Sequence, residues 1–263
     1  MPRMLPTRRI QPSRTLQLDP GPPPSVPTLA DILGYDLNST TGVYGWFRAD
    51  YNLTVDVNNN VTTWNNIIAA NPSMSFTNGT VTATNSPTRV ASGINGKPSL
   101  NFNGTTQRLV TPSFTVKAQP LWQFIVFDIP ATTATGSRCI IDGIQPGTTR
   151  TATYYLDSTK LPRLASATIV NGTSPAYVVG SKYVITAKYA SPSSFLKINN
   201  GAVTGLTAAT TGTQGTTGNT LGAFFNLLAG SFANIRIAEV IMCDSTFASE
   251  STVYALLAAR YGV

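Results

Sequence analysis

The sequence predicts a single all-β sandwich that follows an extended N-terminal arm and ends in one short helix. Three observations support this fold class. Charged residues make up only 11% of the 263 residues, and threonine, asparagine, serine and glycine fill most polar positions, which is typical of strands and tight turns. Apolar runs of strand length recur between turn signals. The first 27 residues contain eight prolines, and only the last residues show a helical repeat.

Residues 1–41 are predicted to form an extended anchoring arm. The first 18 residues hold no acidic residue but four arginines, Arg3, Arg8, Arg9 and Arg14. Such an arm can bind an acidic groove of a partner protein and become ordered on contact. Binding to nucleic-acid phosphates and a solvated tail are the alternatives. The remaining 14 basic and 11 acidic side chains nearly balance, so no nucleic-acid surface is expected on the body.

Predicted strands follow one another along the body. Asn95-Gly96 and Asn103-Gly104 mark tight turns between them. Residues 121–129 are apolar on both faces, as expected of a central strand. Further strands are predicted at residues 138–141, 151–156, 165–170, 183–189 and 195–198. The Thr/Gly-rich run 204–220 is predicted to be an exposed loop.

The last 29 residues predict a buried strand followed by the only amphipathic helix. Ile235, Ile237 and Ile241 alternate as strand residues do, which also places Glu239 on their face. Four residues then repeat with helical spacing: Val253, Leu256, Leu257 and Tyr261. Gly262 stands where a helix C-cap glycine is favoured.

Two cysteines, Cys139 and Cys243, lie in apolar strand-like runs. We predict that both are buried and reduced, because a buried free thiol packs as a small apolar group. The first residues lack the apolar core of a signal peptide. No run approaches the about 20 apolar residues of a transmembrane helix, so no membrane contact is predicted.

The residue types argue against catalysis. The chain contains no histidine, which removes the most common general base and the Ser-His-Asp arrangement. Glutamate occurs only at Glu239 and Glu250, and most glycosidases need two neighbouring carboxylates. The aspartates are scattered without a calcium-binding pattern. The sequence therefore predicts that the chain is not an enzyme and holds no metal or cofactor.

Glu239 is predicted to form a structural ion pair, because a buried carboxylate must be paired or neutral. Arg48 is the expected partner, since the first and last strands of such sandwiches often lie side by side. Arg236 and Arg260 are alternative partners. A ligand or metal contact of Glu239 is the functional alternative.

Aromatic side chains offer a second kind of site, because exposed rings with nearby amides suit sugars. The three tryptophans lie in core-like strands and are expected to pack inside: Trp46, Trp64 and Trp122. Four rings near loops are the candidate glycan contacts: Tyr154, Tyr155, Phe224 and Phe225.

Several sequence patches resemble laminin-G-like, concanavalin-A-like jelly-roll domains. The matching segments are VYGWFRAD at 43–50, VTTWNN at 61–66, INGKPSLNFNG at 94–104, and the closing strand and helix. They occur in the family's order across residues 42–263. The resemblance implies a jelly-roll sandwich for residues 42–263, of the kind found in bacteriophage structural proteins.

A function follows from this resemblance as an expectation. It implies a non-enzymatic virion protein, a capsid-decoration or head-fibre subunit, assembled in the host bacterial cytoplasm and displayed as a homo-oligomer. The arm would bind the capsid or another virion protein. The alternative is a carbohydrate-binding module of a tail, fibre or surface adhesin that contacts host glycans, since fold alone does not decide function.

Overall fold

A computed structural model describes residue 30 and residues 34–78, 85–131, 136–144, 151–225 and 231–263. The larger compact unit runs from Leu37 to Val263. The four arginines of the predicted arm lie outside the described residues: Arg3, Arg8, Arg9 and Arg14. The arm, its end at residue 41 and its partner therefore remain predictions.

The described part of this unit consists mostly of β-strands, numbered here in chain order. They are β1 (Val43–Arg48), β2 (Leu53–Val55), β3 (Val61–Trp64), β4 (Phe76–Thr77), β5 (Thr88–Ile94), β6 (Lys97–Asn103), β7 (Leu109–Val110), β8 (Leu121–Asp128), β9 (Ser137–Ile144), β10 (Thr151–Leu156), β11 (Pro162–Ser166), β12 (Thr168–Asn171), β13 (Lys182–Tyr189), β14 (Phe195–Ile198), β15 (Gly201–Ala202), β16 (Gly218–Leu221) and β17 (Asn234–Cys243). A short 3₁₀ helix covers Pro72–Met74, and helix α1 covers Glu250–Tyr261.

These strands form two antiparallel sheets that pack face to face. Sheet A has the order β15-β14-β13-β8-β17-β6-β5, and β1 also pairs with β17. Sheet B has the order β12-β11-β10-β9-β16-β7-β4-β3-β2. The predicted all-β sandwich is confirmed. Strands that are distant in sequence become neighbours because the connections cross between the sheets.

The core lies between the sheets, and strand β8 shows why the sequence pattern identified it. All eight of its residues are buried. Leu121, Ile125 and Phe127 pack in the core between the sheets, while the alternate residues occupy the outer face of sheet A. The three tryptophans are buried as predicted, with Trp122 the most exposed of them at 8%.

Strand β17 departs from the simple alternation that the sequence predicts. Its register against β8 shifts between Ile237 and Glu239, which is a β-bulge. Ile235 and Ile237 before the bulge face the core, but Val240 and Met242 do so after it. Glu239 therefore lies on the opposite face from Ile235 and Ile237. The prediction that these three side chains share a face is wrong, because one extra residue reverses the alternation.

Helix α1 closes the fold as predicted. Val253, Leu257 and Tyr261 are buried, whereas Leu256 is only half-buried. Gly262 adopts the left-handed conformation (φ 64°), and its N–H donates to the carbonyl of Ala258 at 2.8 Å. No helix in the described part of the chain is long and apolar enough to cross a membrane.

Two local predictions are wrong and one is confirmed. Residues 165–170 form a hairpin rather than one strand, with Ala167 at φ 71° between β11 and β12. The run 204–220 is not an exposed loop, because Leu206 lies in the core and the run ends in β16. Both cysteines are buried and free, as predicted.

Candidate functional site

A polar cleft of about 640 Å³ opens at one end of sheet A. Its rim is formed by the turns at residues 95–96, 180–181 and 199–200. Its floor is formed by the ends of the adjacent strands β13, β8 and β17. The polar and aromatic residues that line it are Asn95, Asp128, Ser181, Lys182, Tyr183, Asn199 and Arg236.

The turn chemistry places two amide side chains at the rim. Asn95-Gly96 joins β5 to β6, and Asn199-Asn200 joins β14 to β15. All four residues have positive φ, between 47° and 70°. Two-residue hairpin turns of this kind favour asparagine and glycine, which tolerate that conformation. Because each hairpin fixes its turn, Asn95 and Asn199 are both held at the rim of the cleft.

The floor is a row of three charged side chains, which we call the cleft row: Lys182, Asp128 and Arg236. Asp128 stands directly opposite Lys182 on β13 and opposite Arg236 on β17. Their sequence neighbours Tyr183, Phe127 and Ile237 face the core. The cleft row therefore lies on the outer face of sheet A.

Arg236 binds both carboxylate oxygens of Asp128. Its Nε donates to Oδ1 at 2.9 Å and its Nη2 donates to Oδ2. Asp128 is only 4% exposed, so this bidentate pair satisfies a carboxylate that is buried at the base of the cleft. The hydrogen bond from Arg236 to Asp128 raises the pKa of the guanidinium. Arg236 is thereby fixed in its charged form.

Lys182 and Asn199 keep hydrogen-bonding capacity for a ligand. The half-buried Lys182 donates through Nζ to Asn95 Oδ1 at 3.5 Å, a weak bond. Within the described residues no carboxylate oxygen lies within 4.0 Å of that Nζ. Asn199 accepts from the N–H of Val184 at 2.8 Å through Oδ1, which leaves its Nδ2 directed away from that bond.

Tyr183 borders the cleft at the start of β13, while its ring packs in the core between the sheets and anchors the preceding turn. Its hydroxyl donates to the carbonyl of Val178 at 3.1 Å and also accepts from the N–H of that residue. The side chain is only 6% exposed. The cleft thus combines amide, ammonium and guanidinium donors around a fixed floor. This set can form hydrogen bonds with a small polyhydroxylated molecule.

The four predicted glycan-contact rings lie elsewhere. Tyr154 and Phe224 pack edge to face at 5.2 Å in a small apolar cluster, and both are buried. Tyr155 is 1% exposed and packs against Tyr177. The expectation that these three rings are exposed is wrong, because Tyr154 and Phe224 pack on each other and Tyr155 lies in the core between the sheets. Phe225 is 45% exposed, and glycan contact by any of the four remains a prediction.

Glu239 belongs to a second polar group on the outer face of sheet A. We call it the helix-covered network: Trp46, Arg48, Asp50, Glu239, Arg260 and Tyr261. Glu239 is fully buried. It accepts from Trp46 Nε1 at 2.7 Å and from the Tyr261 hydroxyl at 3.0 Å, and Arg260 Nε lies 3.9 Å from its Oε2.

Arg48 stands directly opposite Glu239 across the β1–β17 pair, as the side-by-side arrangement of these strands predicted. Arg48 Nε donates to Asp50 Oδ1 at 3.1 Å and its Nη2 to Asp50 Oδ2 at 3.0 Å. Asp50 also accepts a hydrogen bond through Oδ2 from Arg260 Nη2. The alternative partner Arg236 binds Asp128 instead. The ion pair between Arg48 and Glu239 remains a prediction.

Sequence reasoning missed the cleft. It identified Asn95-Gly96 only as a turn, and it considered Arg236 only as a partner for Glu239. Asn199 and Lys182 carry no motif. The available signal is two Asn-containing hairpin turns, but nothing in the sequence shows that they meet. Among the described residues, no three His, Cys, Asp or Glu side chains gather as metal ligands.

Comparison with known proteins gives structural neighbours but no sequence relatives. No protein-family model and no curated sequence matches this chain. A Trypanosoma rangeli sialidase in complex with an inhibitor is similar at 12% identity and a TM-score of 0.54. That likeness covers 80% of this chain and 32% of the sialidase, so the chain spans about a third of that enzyme.

Two other solved structures show the same likeness. Domain 4 of a GH43 extracellular arabinanase from Geobacillus stearothermophilus, in complex with arabinotriose, has 13% identity and a TM-score of 0.50, over 82% of this chain and 100% of that domain. The receptor-binding domain of botulinum neurotoxin D has 9% identity and a TM-score of 0.53, over 84% of this chain and 54% of that one. At these identities the likeness shows a shared β-sandwich fold.

The prediction that this chain is not an enzyme is contradicted, because sialidases are among the structures that resemble it. The argument from residue types counted pairs of carboxylates. Sialidases use a tyrosine nucleophile, so that count does not exclude them. The likeness itself concerns the fold and assigns no activity.

Proposed function

We propose that this chain is a carbohydrate-binding protein and that the cleft at the end of sheet A holds the sugar. The observation that carries the proposal is the arrangement of the rim amides Asn95 and Asn199 around the charged floor, where Arg236 holds Asp128 and Lys182 remains available. The cleft volume falls within the about 300–1,000 Å³ of small-molecule sites. Fixed donors reduce the entropy that is lost on binding.

The structural neighbours support the same class of ligand. The solved structures include a sialidase with sialic acid and an arabinanase domain with arabinotriose. Those ligands belong to those proteins, and the common fold carries many functions. Together with the polar cleft, the neighbours favour the carbohydrate-binding alternative over the virion role.

The finer assignments rest on the sequence alone. A laminin-G-like ancestry, display on a virion and attachment through residues 1–41 depend on motif resemblance and on residues outside the described part of the chain. The comparisons give no support for a capsid partner. A surface-adhesion setting is compatible with glycan binding, because one displayed sandwich can perform both roles.

The test is a glycan array followed by calorimetry on the glycans that bind. The double variant Asn95→Gly/Asn199→Gly removes both rim amides but keeps the positive-φ turns, which glycine adopts readily. We expect affinity to fall at least about tenfold, the equivalent of one or two hydrogen bonds.

Asn59→Gly is the matched control. Asn59 is exposed, has φ 62° and lies in the turn between β2 and β3. The Asn59→Gly variant should bind glycans with the affinity of the unaltered protein. The proposal fails if no glycan binds, or if the double variant binds as tightly as the control.

A further inference from the structure

Lys182 is a cation of the cleft that forms no ion pair among the described residues, since no carboxylate oxygen lies within 4.0 Å of its Nζ. The side chains that line the cleft include two cations, Lys182 and Arg236, and one carboxylate, Asp128. Both oxygens of Asp128 are bound by Arg236. Among the described residues, Lys182 Nζ donates a hydrogen bond only to the Asn95 amide oxygen, at 3.5 Å, and it also lies beside Gly262.

We propose that the cleft selects an anionic sugar and that the ammonium group of Lys182 binds its negative group. This proposal rests on the proposed carbohydrate-binding function and specifies the ligand class. A single ammonium matches a singly charged group, namely the carboxylate of an acidic sugar or a sulfate ester. The two share one chemistry, a charge-assisted hydrogen bond from Nζ.

The surroundings of Lys182 favour such a contact. The side chain is half-buried, so its attraction for an anion is screened less than at an open surface. Asp128 opposite it is already engaged by Arg236, which donates to both of its carboxylate oxygens. The Asn199 amide group, which also lines the cleft, adds a neutral donor. An anion that reaches the floor can therefore accept from both an ammonium and an amide group.

The experiment uses the full chain and an array of matched pairs. The pairs are sialylated and asialo glycans, uronic-acid oligosaccharides and their methyl esters, and sulfated and unsulfated disaccharides. We expect the acidic member of at least one pair to bind about tenfold more tightly than its neutral partner, the effect of one charge-assisted contact. Which pair responds distinguishes carboxylate from sulfate.

Lys182→Met tests the assignment to this residue, because it keeps the length of the side chain and removes the charge. We expect it to lower affinity for the acidic glycan about tenfold and to leave the neutral partner unchanged. The salt dependence of acidic-glycan binding should also decrease. Lys182→Arg should restore most of the affinity.

Lys188→Met is the matched control. Lys188 lies on the same strand and the same face, six residues along, at about 20 Å from Lys182. It contacts the Trp122 ring rather than the cleft. The proposal is overturned if acidic and neutral partners bind equally, or if Lys188→Met has the same effect as Lys182→Met. In both cases the carbohydrate-binding function stands if Asn95→Gly/Asn199→Gly still lowers glycan affinity at least about tenfold. Absence of any bound glycan overturns both.

Discussion

Two groups of charged side chains lie on the outer face of sheet A, and they differ in what covers them. The helix-covered network lies beneath α1, where Glu239 is fully buried and Arg48 is 1% exposed. The cleft row lies beyond that cover, where the side chain of Arg236 is 28% exposed. In the helix-covered network, Trp46 and Tyr261 of the protein donate to Glu239. In the cleft row, the ammonium group of Lys182 keeps N–H donors that a ligand can use.

This difference explains why similar residues have different roles. A charged group that is removed from water needs partners within the fold, and losing one of them is costly. A group at an open cleft keeps water as an alternative partner, so a ligand can replace that water. The helix-covered network should therefore control stability, and the cleft row should control binding.

The largest effect is expected from Glu239→Ala. The change leaves the Trp46 indole N–H and the Tyr261 hydroxyl buried without their acceptor. We expect the free energy of unfolding to fall by about 3–5 kcal/mol, measured by urea denaturation with tryptophan fluorescence.

Glu250→Ala is the matched control, because it removes the only other glutamate. Glu250 forms a partly exposed ion pair with Lys197 at 2.7 Å, and pairs of this kind contribute about 0–1 kcal/mol. Equal losses from the two variants would show that burial under α1 does not distinguish the two regions.

Tyr261→Phe should have an intermediate effect. Burial, strengthened by the charge of Glu239, raises the pKa of the Tyr261 hydroxyl well above its ordinary value. The hydroxyl therefore remains a proton donor to Glu239. Removing it should reduce the free energy of unfolding by about 1.5–3 kcal/mol. Tyr254→Phe on the same helix is the control and should change stability by less than about 0.5 kcal/mol. A Tyr261→Phe protein as stable as this control would contradict the prediction.

Asp50 should give the smallest effect, and that effect should depend on pH. Partial burial by itself raises the pKa of Asp50, but hydrogen bonding and charge from Arg48, with the charge of Arg260, outweigh it and lower the pKa. A carboxyl with a lowered folded-state pKa stabilises the fold above its unfolded pKa of about 4. The contribution disappears as the pH falls through the folded-state pKa.

Asp50→Asn should therefore reduce the free energy of unfolding at neutral pH by no more than about 1 kcal/mol, since the site is partly exposed. Urea denaturation of both proteins at several pH values should show the difference disappearing below about pH 4. A difference that stays constant to about pH 3 would mean that Asp50 does not titrate with a lowered pKa.

Local patterns in the sequence predicted much of the fold. Residues 121–129 were apolar on both faces, and β8 lies in the middle of sheet A with a cover on each side. The helical repeat and Gly262 predicted α1 and its C-cap. These features depend on neighbours within about one helical turn or one strand, so the local sequence contains the information.

The position of Glu239 could not be predicted in the same way. Alternation placed it with Ile235 and Ile237, but the bulge before it moved it to the face under α1. A bulge depends on how two strands pair, and no residue type in β17 marks it. The rings of Tyr154 and Phe224 were misjudged for a related reason, because a loop distant in sequence covers β10.

The sequence by itself determined the all-β class, the central strand β8, the closing helix with its C-cap and the Asn95-Gly96 turn, since these follow from residue preferences over short distances. Only the tertiary structure decided that Asn95, Asp128, Lys182, Asn199 and Arg236 meet at one cleft. Asp128 and Arg236 are 108 residues apart and adjoin because β8 pairs with β17. The choice of neighbouring strands follows from packing the whole core, and that choice also leaves Lys182 facing an open cleft while Glu239 is covered by a helix.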